Sequence, residues 1–327
     1  MVLLLNRKTV ESLVTMKDAI QVVEEAFLEW YRGTAVAPKR LIITVDDYQG
    51  FAYYMPAYLS KKKSLAVKIV TQYERNLKLG LPTIMASILL NDPETGKPLA
   101  LMDGTYLTAT RTGAASAVAT KYLARKSSSL VGVIGTGGQA RAQLRGLFEV
   151  LENIEKIKVY DVFPDRAEKF AKEMADEFNV AVESVKHNRE CVKDSDVIVL
   201  ATTSAVPVLD GTWLKPGAHI NSIGVVGPEG RELDDQTIKR AKIVVDTKEG
   251  ALAETGDLII PLRNGVISER SIHAELHEIV ANVKPGRTSE TEITCWKAVG
   301  VAFEDAAVAK LAYDEAKKKK VGTEVEL

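Results

Sequence analysis

The chain has 327 residues, 46% hydrophobic and 27% charged, with 43 basic residues against 44 acidic ones. That length accommodates two domains with proper cores, and the even charge balance argues against nucleic acid as a partner. The longest apolar runs, such as DVIVLATT at 196–203, are strand-sized and too short to cross a bilayer.

In chain order, KTVESLVTMKDAIQVVEEAFLEWY (8–31) places Val14, Ile20, Val23, Phe27 and Trp30 at helical spacing, which predicts one or two amphipathic helices. Short alternating segments follow: RLIITV, FAYYMPAY, LAVKIVTQY and TIMASILLND, separated by turn signals such as DDYQG and NDPETGKP. They predict a small, mostly antiparallel or mixed sheet. From about 105, TYLTATRTGAASAVATKYLA returns to a helical period.

A βαβ series comes next. SLVGVIG, KIKVYD, VAVESV, DVIVLATT, AHINSIG and KIVVD read as strands, with QARAQLRGLFEVL and PDRAEKFAKEMADEF as intervening helices. Such alternation predicts a doubly wound parallel sheet of the Rossmann kind. After about 300 comes a last amphipathic helix, GVAFEDAAVAKLAYDEAKKK, and the four lysines at 317–320 complement the dipole at its end.

Between the first strand and first helix of that series lies Gly135-Thr136-Gly137-Gly138-Gln139-Ala140, a GxGxxA turn. Gly135 suits the tight turn, Gly137 lets backbone approach a pyrophosphate, and Ala140 lets helix close on strand. The next strand ends in Asp161, 26 residues on, placed to take ribose hydroxyls and to repel a 2′-phosphate. NAD(H) is therefore the preferred cofactor, with Arg166 leaving NADP(H) open. Thr202 and Thr203, in ATTSA, lie at a strand's carboxyl end where a cofactor is expected; capping a turn is the plainer role for their hydroxyls.

Lys68 stands in the apolar stretch SLAVKIVTQY, where Leu65, Val67 and Ile69 alternate with Ala66, Lys68 and Val70. A lysine buried in such a strand needs an anion or loses its proton. The alternatives are a structural ion pair and a snorkelling edge residue.

Several stretches together resemble the ornithine cyclodeaminase/mu-crystallin family, which includes archaeal alanine dehydrogenase and the cyclic ketimine reductases. They are VESL, VEEAF, YMPAY (54–58), LPTIMASILLNDPETGKPLALMDGTYLTATRTGAAS (81–116), IGTGGQA, GAHINSIG, AKIVVD, ETGDL (254–258) and AVGVAFEDAAVAK (298–310). The resemblance covers nearly the whole chain. It implies a homodimer, with an α+β substrate and dimerisation domain at 1–118 rejoined by 300–327, and a Rossmann domain at 119–299. It also implies that Lys68, Arg40 and Arg111 surround a substrate carboxylate, with Lys68 close to the chemistry. Thr83 and Arg111 would stand near the nicotinamide.

The departures from the family pattern are informative. Val226 stands where the deaminating members carry an aspartate beside the cofactor, and Tyr53 stands where a glutamate binds ornithine. WKAVG, with Lys297 and Ala298, replaces the family's FDS(V/L)G. Deamination needs a base within hydrogen-bond reach, whereas reducing a preformed cyclic imine needs an anchored carboxylate and an aligned hydride. The resemblance thus implies NADH-dependent reduction of Δ1-pyrroline-2-carboxylate to L-proline, with Δ1-piperideine-2-carboxylate, giving L-pipecolate, as a second substrate. Alanine dehydrogenase remains an alternative if Glu229 or its loop replaces the aspartate. Ornithine cyclodeaminase and a non-catalytic binding protein follow behind.

The remaining residues read as structural. Cys191 and Cys295 form no disulfide framework or metal-ligand spacing, and no histidine pair has ligand spacing. His219 reads as a satisfied core residue, His187 and His277 as surface residues, and His273 as structural. MVLLLNRK holds too short an apolar run for a signal peptide. The expected setting is cytoplasmic, without a metal and without a membrane.

Overall fold

The computed structural model describes residues 1–224 and 227–326, except for the side chain of Leu77. Val226 therefore lies outside the described residues. The chain divides into two units, one of residues 1–115 with 300–327 and the other of 116–299.

The first unit is built on an eight-stranded mixed sheet. Its order is Thr323–Val325, Val2–Leu5, Pro98–Asp103, Ile84–Asn91, Ser64–Tyr73, Gly50–Leu59 and Ala35–Val36, and Leu41–Val45 also pairs with Gly50–Leu59. All neighbours run antiparallel except Val2–Leu5 on Pro98–Asp103. The predicted N-terminal helical stretch is two helices, Arg7–Leu13 and Met16–Tyr31. The break falls where Thr15 accepts a hydrogen bond from the Asp18 amide and starts the second helix.

Period 2 gives this sheet two different faces. Met55, Lys68, Ile88 and Met102 sit side by side on the covered face and are all buried. Helices Met16–Tyr31 and Ala302–Lys319 supply aromatic packing within the unit. Phe303 meets Phe27 edge-on at 5.1 Å and stacks on Trp30 at 5.4 Å. On the other face Leu4, Leu101, Ile69, Met85 and Leu41 are exposed.

The second unit holds eight parallel strands. Their order is Ala181–Ser184, Lys156–Tyr160, Leu130–Ile134, Val197–Leu200, His219–Ser222, Ile293–Lys297, Ala241–Val245 and Ile272–Glu275. Both faces are buried, as parallel sheets require. Val131, Val133 and Val199 join a cluster around Phe170, and Ile198, Leu200 and Ile220 join another around Leu258. Strand order reverses at Leu130–Ile134, so the crevice beside its carboxyl end is the expected ligand position. Helix Gly104–Leu123, started by Asp103 accepting from the Tyr106 amide, runs from the first unit into the second.

Candidate active site

In the first unit, five charged side chains come together. Lys68, 1% exposed, pairs with Asp305 at 2.8 Å. Arg111 reaches the same Asp305 through Nε at 3.1 Å and Glu304 through an Nη at 2.6 Å. Arg40 donates to the Gly300 carbonyl at 2.7 Å and lies within electrostatic reach of Lys68. Gly300 has a φ of +83°, and a Cβ there would collide with the Arg111 guanidinium. Any side chain would both strain the backbone and push Arg111 away.

Three cations thus face two carboxylates. Burial, with Arg111 adding to it and Asp305 opposing both, lowers Lys68 to about 8. Burial also works against the Arg111 charge, but Asp305 and Glu304 outweigh it and raise that group above its ordinary value. The result is a buried, electropositive site whose lysine can titrate near neutrality. Tyr53 is half-buried on the face that carries Lys68, two residues along its strand from Met55, the residue opposite Lys68. Thr83 is half-buried, and its carbonyl accepts from the Tyr73 amide at 2.8 Å.

In the second unit, the glycine turn fits a dinucleotide. Gly135 has a φ of +89°, and a Cβ there would press on the Ala201 carbonyl. Gly137 and Gly138 face open space, and no side chain caps the helix Gly138–Val150 that they begin. Its first amides are therefore available to an anion. Ala140 is fully buried beneath the helix, and Gln139 is half-buried. The Asp161 carboxylate accepts from the Thr136 amide at 2.9 Å and hydroxyl at 2.8 Å, and from the Phe163 amide at 3.0 Å. The turn and the acidic residue are held in one piece before any ligand arrives. Arg166 lies over the exposed Phe163 ring at 4.4 Å. Thr202 binds Glu232 through both its amide and its hydroxyl at 2.8 Å, and Thr203 is exposed.

A family model described as ornithine cyclodeaminase/mu-crystallin family matches residues 2–320. The chain belongs to that family. It is 55% identical to a Δ1-pyrroline-2-carboxylate reductase of Thermococcus litoralis whose structure is in complex with NADH and L-proline. The match covers 99% of this chain and 100% of that one, with a TM-score of 0.97. An archaeal alanine dehydrogenase dimer with bound NAD is 40% identical, with 99% of each chain covered and a TM-score of 0.94. A Δ1-pyrroline-2-carboxylate reductase of Bacillus cereus is 37% identical over 99% of both chains.

Within the family frame, Asp305 and Glu304 are the residues that reading the sequence missed. They lie in the first turn of Ala302–Lys319, where acidic residues are ordinary dipole partners. The available signal was their setting in AFEDAAVA, a stretch with no polar face to carry two solvated acids. His219 accords with its reading: it is buried among Thr294, Asn221 and Thr120, and burial, with Arg287 adding to it, lowers it to about 3. His277 differs from a surface residue, being half-buried and 3.3 Å from Glu275. Cys191 and Cys295 are buried, and burial pushes both thiols up to about 12. No group of three metal-ligating side chains occurs among the described residues, and no helix among them is long and apolar enough to cross a membrane.

Proposed function

We propose that this chain is an NAD(H)-dependent reductase of a cyclic ketimine carboxylate. Δ1-Pyrroline-2-carboxylate, giving L-proline, is the leading substrate, and Δ1-piperideine-2-carboxylate, giving L-pipecolate, is the second. The observation that carries this reading is the buried cluster of Lys68 and Arg111 with Arg40 beside it, a set suited to a small carboxylate. The T. litoralis relative, in complex with NADH and L-proline, supports the substrate class.

The bound dinucleotide supplies a hydride at the substrate. Arg111 and Arg40 hold the carboxylate, and Asp305 fixes Lys68 and Arg111 relative to each other. Lys68, still protonated at neutral pH, adds a third donor and keeps positive charge near the ring nitrogen. Tyr53 offers an aromatic wall in place of a second carboxylate, which suits an uncharged ring. The hydride forms a bond to C2, the C=N π pair moves to the nitrogen, and the nitrogen keeps the proton with which the iminium arrived. Anchoring and alignment suffice for such a step. Gly135, Thr136, Gly137, Gly138, Gln139, Ala140 and Asp161 form the dinucleotide cradle, with Thr202 and Thr203 at the neighbouring strand end.

Alanine dehydrogenation is the second reading, favoured by the 40% identity to the archaeal enzyme. It needs a base, and valine at 226 supplies none. Glu229 is an unpromising substitute, since it is exposed and turned toward Arg263 at 3.9 Å. The deciding experiment follows NADH oxidation with Δ1-pyrroline-2-carboxylate beside pyruvate plus ammonia, and ammonia release from L-ornithine with NAD. Turnover of the cyclic imine alone is expected. Turnover of pyruvate with ammonia, or ammonia from ornithine, would overturn the reductase reading, and no turnover at all would favour a binding protein.

The open apolar face of the first sheet supports a homodimer, as does the dimer of the archaeal relative. A cytoplasmic location is supported by the two free, buried cysteines.

A further inference from the structure

Beneath the strand ends of the second unit lies a set of charges that the hydride-transfer scheme does not use. Lys297 is 0% exposed, at the end of the central strand Ile293–Lys297. Its ammonium meets Asp257 at 2.7 Å and the Ser222 hydroxyl at 3.3 Å. The other Asp257 oxygen accepts from the Glu232 and Leu233 amides at 2.7 and 2.8 Å. The Glu232 side chain, also fully buried, then reaches the cofactor edge. One oxygen takes the Thr202 amide and hydroxyl, and the other takes the Gly224 amide at 3.0 Å and the Ser222 hydroxyl at 3.2 Å.

Those contacts lock three strand ends into one layer. Thr202 follows Val197–Leu200, and Gly224 follows His219–Ser222. Gly224 lies flush against Thr202 and Glu232, with no room for a Cβ. Thr202 in turn abuts Gly135, the first glycine of the phosphate turn. Ion pairs inside a protein cost desolvation, and replacing them by apolar groups is often neutral or stabilising. Stability is therefore a poor reason for three charged groups here. Position is a better one: a carboxylate with four donors on it is a rigid fastener.

We propose that Lys297, Asp257 and Glu232 are positioning residues that hold the Thr202 and Gly224 strand ends in register with the phosphate turn, and so set the cofactor's alignment for hydride transfer. The inference rests on the reading of this crevice as the dinucleotide site. Glu232 touches no reacting atom in this scheme; it acts through Thr202 and Gly224. Lys297 supplies the charge that lets two buried carboxylates share one small volume.

The test uses Lys297→Met, Lys297→Arg and Glu232→Gln in the full-length protein. Glu232→Gln keeps the volume but turns an amide NH2 or a weaker acceptor toward the Thr202 and Gly224 donors. Three readouts are taken: NADH affinity by fluorescence titration, kcat and KM for the cyclic imine, and the isotope effect with NADH deuterated at the transferred position. Lys297→Met and Glu232→Gln are expected to weaken NADH binding about tenfold and to lower kcat about 10- to 100-fold, the scale of a misplaced reacting pair. The isotope effect on kcat should rise as hydride transfer becomes slower, and Lys297→Arg should recover part of each loss. A folding role alone would lower the melting temperature and the active fraction, and would leave NADH affinity and the isotope effect at their starting values. That result overturns the proposal. Should the unaltered protein reduce no cyclic imine, the reductase reading fails, and the NADH titrations still decide: unchanged affinity in both variants rejects the positioning role, and a tenfold loss supports it.

Discussion

Lys68 is the residue where sequence and chemistry meet most closely. Its strand has an alternating apolar pattern that leaves no solvent for an ammonium, and Asp305 answers that need from a helix more than 230 positions later in the chain. Removing the ammonium by Lys68→Met should cost about 2–4 kcal/mol of kcat/KM, roughly 30- to 1,000-fold, as for other buried charge partners. Steady-state kinetics on the cyclic imine would check it, and unchanged kcat/KM would remove Lys68 from the anchor. The pH dependence has a definite sign. Lys68 titrates at about 8 when folded against an ordinary 10.5, so kcat/KM should fall above about pH 8 as the free enzyme loses the cation. Between those two values the unfolded chain binds the extra proton, so the stability contributed by this one group rises with pH across that window. A pH–rate profile that stays flat to pH 10 would contradict the assignment. The cations proposed as the anchor were legible in the sequence through the family motifs. Their counter-ions were not, because Glu304 and Asp305 look like routine first-turn acids until residues 302–309 of the helix are known to be buried all round.

At the scale of elements, the parallel sheet was readable wherever its strands are runs of valine, isoleucine and leucine. Ile293–Lys297 was not read as a strand, although every residue in it is buried. Thr294 and Lys297 break its apolar run, and both are there for polar contacts with other parts of the unit: Thr294 with His219, Lys297 with Asp257. Sequence patterns report burial only where burial is apolar. Strand Val2–Leu5 was also missed, since four residues offer too little alternation to measure. The glycine turn gives the opposite lesson, because its backbone demands are encoded directly in residue type. Asp161 follows the adjoining strand; its Oδ2 already accepts from both the amide and the hydroxyl of Thr136, while Oδ1 takes the Phe163 amide and keeps a second lone pair for a ribose hydroxyl. Asp161→Ser should therefore weaken NADH binding by about tenfold, a loss of a charge-assisted hydrogen bond, and should improve NADPH relative to NADH. Fluorescence titration with each nucleotide measures both effects; equal affinities before and after would show that this carboxylate does not select the cofactor.

For the whole molecule, the telling feature is the first unit's uncovered sheet face. Leu101 lies beside Leu4 on the next strand, and both are exposed. Ile69 lies on the same open face of the sheet. A sheet normally hides one face against helices and wets the other with polar side chains. Here the second face is apolar too, which calls for a partner. Ile69→Glu combined with Leu101→Lys should break the proposed dimer into monomers in sedimentation analysis, because each charge would be stranded in an apolar contact. A dimer unaffected by both charges would place the interface elsewhere.

The return of residues 300–327 to the first unit also has a consequence for synthesis. Residues 116–299 form an uninterrupted unit and can fold as soon as they leave the ribosome. The first unit cannot: until Glu304 and Asp305 have been made, Lys68 on its strand and Arg111 on its helix lack the acids that pair with them. Strand Val2–Leu5, translated some 300 residues before its neighbour, waits for Thr323–Val325 to cover its edge. The unit that holds residues 1–115 is therefore the one that is completed last, and a nascent chain acquires its glycine turn before its Lys68–Arg111–Asp305 cluster.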